Sequence, residues 1–291
     1  MRIKILKDSK KNPIILITML IITSLLVAGC IGGEKKSERI IVKGSDTILP
    51  LAQALAEEFM NKYPDADVTV IGGGSGVGIA SLIDGSTDIA DASRKIKKKE
   101  LENAKAKGVN PVETVIAWDG IGVVVHPNNL VSNLTLSQIR GIYNGSISNW
   151  KEVGGADKTI TVISRDSSSG TYEYFKEHAL SGDNYRPDAL TLAATGAIVQ
   201  SVSQNEGAIG YIGLAYLDES VKALSLSKDR FLEYAEPTIE NVISGKYLLA
   251  RELYQYTNGE PTGLVKQFIE FELSPEGQKI VRKVGYIPVN Y

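Results

Sequence analysis

Apolar positions along the chain follow two rhythms that alternate. "RIIVK" at 39–43 is a short strand run. After Gly44 the spacing changes, and Leu51, Leu55, Ala56 and Phe59 fall on one face of a helix that Pro64 closes. The same order returns at once: a strand at 67–71, a glycine-rich turn, a helix at 76–83 and a stop at Gly85. "TDIADASR" reads as a short strand with a turn at Ala92–Ser93, and a charged surface helix follows. "TLSQIRGIYNG" predicts a helix and "SNW" a turn. "ITVISRDSSSGTYEYFKEHAL" predicts strand, turn and helix, "GAIVQSVSQNEGAIGYIG" a helix and then a strand, and 262–285 two closing helices. Two β-rich runs, within 111–127 and 246–257, are unusually long.

Strands alternating with helices predict an α/β fold with mainly parallel sheets. The two long runs can each cross between two lobes. Residues 40–118 plus 248–291 then form one lobe and 119–247 the other; a single α/β sheet is the alternative that the pattern leaves open.

The first residues break this rhythm. Arg2, Lys4, Lys7, Lys10 and Lys11 precede an almost purely apolar run from Ile14 to Val27. Its fourteen residues are short for a bilayer span and suit the core of a signal peptide at 1–29, a membrane anchor being the alternative. The run ends in Val27-Ala28-Gly29-Cys30, which resembles a lipobox, the motif whose cysteine receives a lipid. Cys30 is the only cysteine, so no intrachain disulfide can form. "IGGEKKSER" continues as a small, polar tether, so that 30–39 make up anchor and tether. An extracytoplasmic protein held on the outer face of the cell membrane is expected.

The charge balance sharpens this. The chain has 32 basic and 34 acidic residues; five basic and one acidic lie within 1–29, which leaves 27 basic and 33 acidic, a net of −6. No basic footprint for nucleic acid is present. An acidic body that binds an anion must rely on local dipoles and a few placed cations.

Three strand-to-helix turns carry the same chemistry: Gly44-Ser45-Asp46-Thr47, Gly73-Gly74-Ser75-Gly76 and Ser168-Ser169-Gly170-Thr171. A helix start has unpaired N–H groups and a partial positive charge, glycine lets an anion approach the backbone, and hydroxyls add directional donors. One such turn alone is explained by helix capping. Three on successive strand ends of an α/β fold point to a ligand, because ligands gather at the carboxyl ends of such strands. Arg165, four residues before Ser169, supplies a planar cation for a tetrahedral anion, or an ion pair with Asp166.

Other chemistry finds little footing. "GGGSGVG" at 72–78 lacks the Gly-Lys-Ser/Thr ending of a nucleotide P-loop, and no serine sits in a nucleophile elbow. The two histidines, His126 and His178, have no partner at metal-ligand spacing. No catalytic residue, metal site or cofactor is expected.

"GSDTILPL", "GGGSGVG", "TDIADASR", "DGIGVVVHP", "IYNGSISNWKEVGG" and "SRDSSSGT" follow in this order, and over 40–291 the chain resembles the phosphate-binding proteins of high-affinity phosphate ABC transporters. The resemblance implies a periplasmic-binding-protein-like fold of type II, with two α/β lobes joined by two crossing strands and closing over one inorganic phosphate. It implies delivery to the transmembrane permease subunits, binding without catalysis, and a monomer. Carried over residue by residue, Thr47 and the backbone of Ile48 bind from the first turn and Ser75 from the second. Arg165, Ser169, Gly170 and Thr171 bind from the third, with Ser45 a possible addition.

One position departs from that family. Many members carry an aspartate where Ser93 falls, accepting a proton from phosphate and so rejecting sulfate. Asp46 or Asp119 is the expected substitute acceptor, and Arg94 is either a second cation at the site or an ion-pair partner. A receptor for sulfate, molybdate or tungstate is the first alternative function; a secreted phosphatase and a phosphate sensor are others.

Overall fold

The computed structural model describes residues 38–289. The signal-peptide and lipidation expectations at 1–30, and the tether up to residue 37, lie outside the described residues. In chain order the elements are β1 (Glu38–Gly44), α1 (Leu49–Lys62), β2 (Ala66–Ile71), α2 (Ser75–Ile83), β3 (Ile89–Ala92), α3 (Lys98–Ala106) and β4 (Pro111–Val125). Then come β5 (Asn133–Thr135), α4 (Leu136–Asn144), β6 (Thr161–Arg165), α5 (Gly170–His178), β7 (Leu190–Leu192), α6 (Thr195–Ser203) and β8 (Ala208–Gly213). The last are β9 (Lys222–Ala223), β10 (Ser225–Ser227), α7 (Ile239–Ile243), β11 (Ala250–Asn258), α8 (Gly263–Leu273) and α9 (Pro275–Val284). β1 begins at Glu38, so the last two residues expected in the tether already pair with β2.

The strands lie in the order β2-β1-β3-β11-β4-β8-β6-β7, with β9 also on β4. The pairs β1/β2, β1/β3, β6/β8 and β6/β7 are parallel, as βαβ crossovers require. The central strands β4 and β11 are antiparallel to their neighbours. β4 changes partner along its length: Pro111 to Gly120 face β11, and Ile121 to Val125 face β8. The second long run is shorter than its sequence suggests, because β11 starts at Ala250.

The cores follow the strand period of two. In β4, Val123 and Val125 enter one apolar cluster with α4 and α5, while Val124 enters another with Ile198 and Val202 of α6. At the other end, Leu51, Leu55 and Phe59 of α1 pack with Phe268 and Phe271 of α8, and Ile79 and Leu82 of α2 pack on Ala90 and Ala92 of β3. Helices therefore cover both faces of each group of parallel strands, and the strand ends with their turns are left to meet. Ile287, near the chain end, joins the core built mainly from the middle of the chain, through a bridge to Trp118.

Candidate anion site

The three turns meet. The Thr47 and Thr171 hydroxyls, from the starts of α1 and α5, are 2.7 Å apart. The Ser75 hydroxyl, at the start of α2, accepts the Ser93 N–H (3.0 Å) and lies 3.3 Å from the Ser93 hydroxyl. All four side chains are buried. Gly170 closes the gap between the two pairs: a methyl there would lie 2.4 Å from Ser75 Oγ and 2.6 Å from Ser93 Oγ, so any larger residue must displace these hydroxyls. The second turn also touches the third through backbone, with Gly76 N–H donating to the Ser168 carbonyl (2.9 Å).

Capping and anion binding separate among the three starts. Ser169 caps α5, accepting from the Thr171 and Tyr172 N–H groups at 3.2 and 3.3 Å. α1 and α2 have no side-chain cap, Ile48 and Gly74 being their caps. The Ile48 N–H, expected to face the ligand, donates to the Ser45 carbonyl (3.1 Å). The Ser45 N–H in turn donates to the Asp91 carbonyl (2.9 Å), which ties the first turn to the end of β3.

Arg165 is 1 % exposed, and its ion pair is with Asp46 rather than Asp166. Nη2 donates to Asp46 Oδ2 (2.7 Å) and to the Ala193 carbonyl (2.6 Å), and Nη1 to Thr195 Oγ1 (2.8 Å). Nε is buried without a partner, which leaves one donor of this cation free. Asp166 instead accepts from the backbone and hydroxyl of Ser168. Asp46 is fully engaged: its Oδ1 accepts the Gly73 N–H (3.0 Å), and its carbonyl accepts from Tyr216, whose hydroxyl burial pushes up to about 12. Arg94 takes the ion-pair reading, gripping Glu100 with both Nη atoms at 2.8 and 2.7 Å.

The residue that sequence reasoning missed is Arg251. It stands on β11 directly opposite Asp119 of β4, and the cross-strand register makes them partners: Nη2 donates to Asp119 Oδ2 at 3.0 Å. The same Nη2 reaches Thr171 Oγ1 at 3.0 Å and Thr47 Oγ1 at 3.4 Å, and Nη1 donates to the Ser93 carbonyl at 3.0 Å. The guanidinium lies 5.6 Å from the Tyr174 ring centre. Asp119 is buried, and burial pushes its carboxyl above the ordinary range while the Arg251 charge pulls the other way. An arginine within the strand-like run "KYLLARELYQY" was the available signal, and a weak one beside Lys246 and Glu252.

The arrangement presents four hydroxyls, which follow the ends of β1, β2, β3 and β6, and two buried arginines, each paired with a carboxylate. Such a set can surround a small oxyanion with charge-assisted and neutral hydrogen bonds and exclude water. No group of three or more potential metal-ligand side chains occurs among the described residues. The fold and site define an α/β binding protein of the periplasmic-binding-protein-like type II class.

Comparison with known proteins narrows the class. Residues 32–276 match the model of the PBP superfamily domain. The phosphate-binding protein PstS of Bacillus subtilis is 34% identical over 296 residues, covering 96% of this chain and 95% of the relative. PstS of Pseudomonas aeruginosa is 34% identical over 263 residues, covering 84% and 81%. Among solved structures, a phosphate ABC transporter substrate-binding protein from Clostridium perfringens with bound phosphate is 38% identical, with a TM-score of 0.80, over 87% of this chain and 100% of that one. An ABC-type phosphate transport receptor from Vibrio cholerae is 33% identical, with a TM-score of 0.70, over 85% and 99%. The chain belongs to the family of PstS phosphate-binding proteins.

Proposed function

We propose that this protein binds inorganic phosphate outside the cytoplasm and delivers it to the permease subunits of an ABC transporter. It is a receptor and not an enzyme: the site holds and orients the anion, in keeping with the role of the family. The observation that carries the reading is the convergence of Thr47, Ser75, Ser93 and Thr171 from separate turns onto one buried spot. Family membership and the bound phosphate of the Clostridium perfringens structure support it. Phosphate would lie among these hydroxyls, with the backbone at Gly170 close by and the free Arg165 Nε as a donor. Ser169 acts mainly by holding the start of α5.

The lobes are 40–118 with 248–291 and 119–247. The partner change of β4 at Gly120–Ile121 supports a division there, and the seating of Ile287 in the other core makes the two parts share a seam. Residues 1–29 serve export, and Cys30 carries the lipid that keeps the receptor at the outer face of the membrane. No described helix is long and apolar enough to cross a membrane. The receptor acts as a monomer.

Equilibrium dialysis of the purified protein against radiolabelled phosphate tests the reading, with Thr171→Val as the comparison. Retention of one phosphate per chain, weakened in the variant, is expected. Equal retention by both would place the ligand elsewhere.

A further inference from the structure

Selection against sulfate needs a group that accepts a proton from the ligand, and Ser93 has no carboxylate to offer. Two buried acids lie close to the hydroxyl cluster. Asp46 is held away from it: one carboxylate oxygen takes the Gly73 N–H, the other takes Arg165, and its contacts run to the neighbouring turn and not to the four hydroxyls. Asp119 is placed differently. The single nitrogen Arg251 Nη2 bonds Asp119 Oδ2 at 3.0 Å and Thr171 Oγ1 at 3.0 Å, so the carboxylate stands one guanidinium group from the cluster.

A second contact brings Asp119 against the first turn. Gly213 ends β8 where a methyl would lie 3.0 Å from Asp119 Oδ2 and 3.2 Å from the Thr47 methyl, so carboxylate and threonine face the same small space. The other Asp119 oxygen accepts the Leu214 N–H at 3.2 Å, which fixes its direction. Arg251 itself touches hydroxyls from two turns and the carbonyl of Ser93. Its Nη2 N–H that is now shared between two threonine oxygens suits an anionic oxygen better, because a charged acceptor strengthens the bond.

We propose that Arg251 is a further anion-binding residue of this site and that Asp119, its cross-strand partner, is the selectivity residue that favours a protonated anion over a fully ionised one. This rests on the phosphate reading above. Arg251 donates to a ligand oxygen. Asp119 neutralises that arginine, repels a dianion that has no proton to share, and accepts the hydroxyl of one that has. The role that an aspartate plays at the Ser93 position in many relatives is carried from the facing strand.

The test is calorimetric titration of the purified protein with phosphate and with sulfate, for the natural sequence, Asp119→Asn, Asp46→Asn and Arg251→Lys. The expected result is that Asp119→Asn raises sulfate affinity relative to phosphate by about tenfold or more. Arg251→Lys, which loses the planar fork, weakens phosphate by about tenfold. A phosphate-to-sulfate ratio in Asp119→Asn within about twofold of the natural one overturns the proposal. So does a ratio that moves in Asp46→Asn and not in Asp119→Asn. Should Asp119→Asn fail to fold with its buried arginine unpaired, the double variant Asp119→Asn/Arg251→Gln removes both charges together. Loss of discrimination in that protein supports the proposal, and retained discrimination overturns it. Absence of phosphate binding by the natural protein would instead sink the phosphate reading itself.

Discussion

Asp91 offers a quantitative check on the account of the interior. It sits at the end of β3, 2 % exposed, two residues before Ser93, and its carbonyl anchors Ser45. Its side chain accepts from Gln255 Nε2 at 3.2 Å, and that amide also donates to the buried Glu272 at 3.1 Å. Burial pushes the Asp91 carboxyl from 3.8 up to about 7, against the smaller opposing effect of the Gln255 hydrogen bond. A carboxyl raised on folding stabilises the fold below its unfolded pKa, and that advantage is lost as pH climbs through the folded value. At about 1.4 kcal/mol per pH unit, Asp91 alone makes the protein about 2–3 kcal/mol less stable at pH 8 than at pH 5. Asp91→Asn keeps the acceptor for Gln255 and removes the titration. Glu272 is raised by burial and by the nearby Asp91 charge, so removing that charge also eases the Glu272 shift and moves the variant's profile in the same direction. Urea unfolding in phosphate-free buffer at pH 5, 6, 7 and 8 reads the difference. The loss of stability between pH 5 and pH 8 should be smaller in the variant by about 2–3 kcal/mol. Parallel pH profiles for the two proteins would refute the reasoning, since Asp91 would then be ionised across the range.

Three further outcomes follow from particular contacts. Gly170→Ala places a methyl 2.4 Å from Ser75 Oγ, and titration should find phosphate binding weaker by ~1–3 kcal/mol with the fold retained. Asp46→Asn strips the buried Arg165 of its carboxylate, and urea unfolding should give a loss of ~3–5 kcal/mol. Lys97 pairs with Glu173 at 2.7 Å on the surface, and Lys97→Ala should change stability by less than ~1 kcal/mol in the same assay.

Much of the fold is legible in the chain because its signals are local. The 3.6-residue spacing of Leu51, Leu55 and Phe59 gives α1, and the glycine and hydroxyl turns mark where strands hand over to helices. The site hydroxyls were legible for the same reason: Thr47, Ser75 and Thr171 each sit at a turn with recognisable chemistry. What local pattern cannot carry is partnership across the fold. Arg165 has an aspartate beside it at 166, yet pairs with Asp46, 119 residues away, because the two strand ends meet. Arg251 pairs with Asp119 through antiparallel register, a relation 132 residues long. Nothing near it in sequence says that β11 brings it to the hydroxyl cluster. The β4 run was read correctly as long, while β11 was read four residues too long at its start, since Tyr247 to Leu249 are apolar enough to resemble strand and instead lead into it.

The central claim is that the four converging hydroxyls and their buried arginines form a receptor site for phosphate. Calorimetric titration of the purified protein near neutral pH, after exhaustive removal of phosphate, tests it most directly. The account predicts tight, one-to-one binding of phosphate and far weaker binding of sulfate. Sulfate bound as tightly as phosphate would contradict the assignment of ligand, and no heat from either anion would contradict the receptor itself.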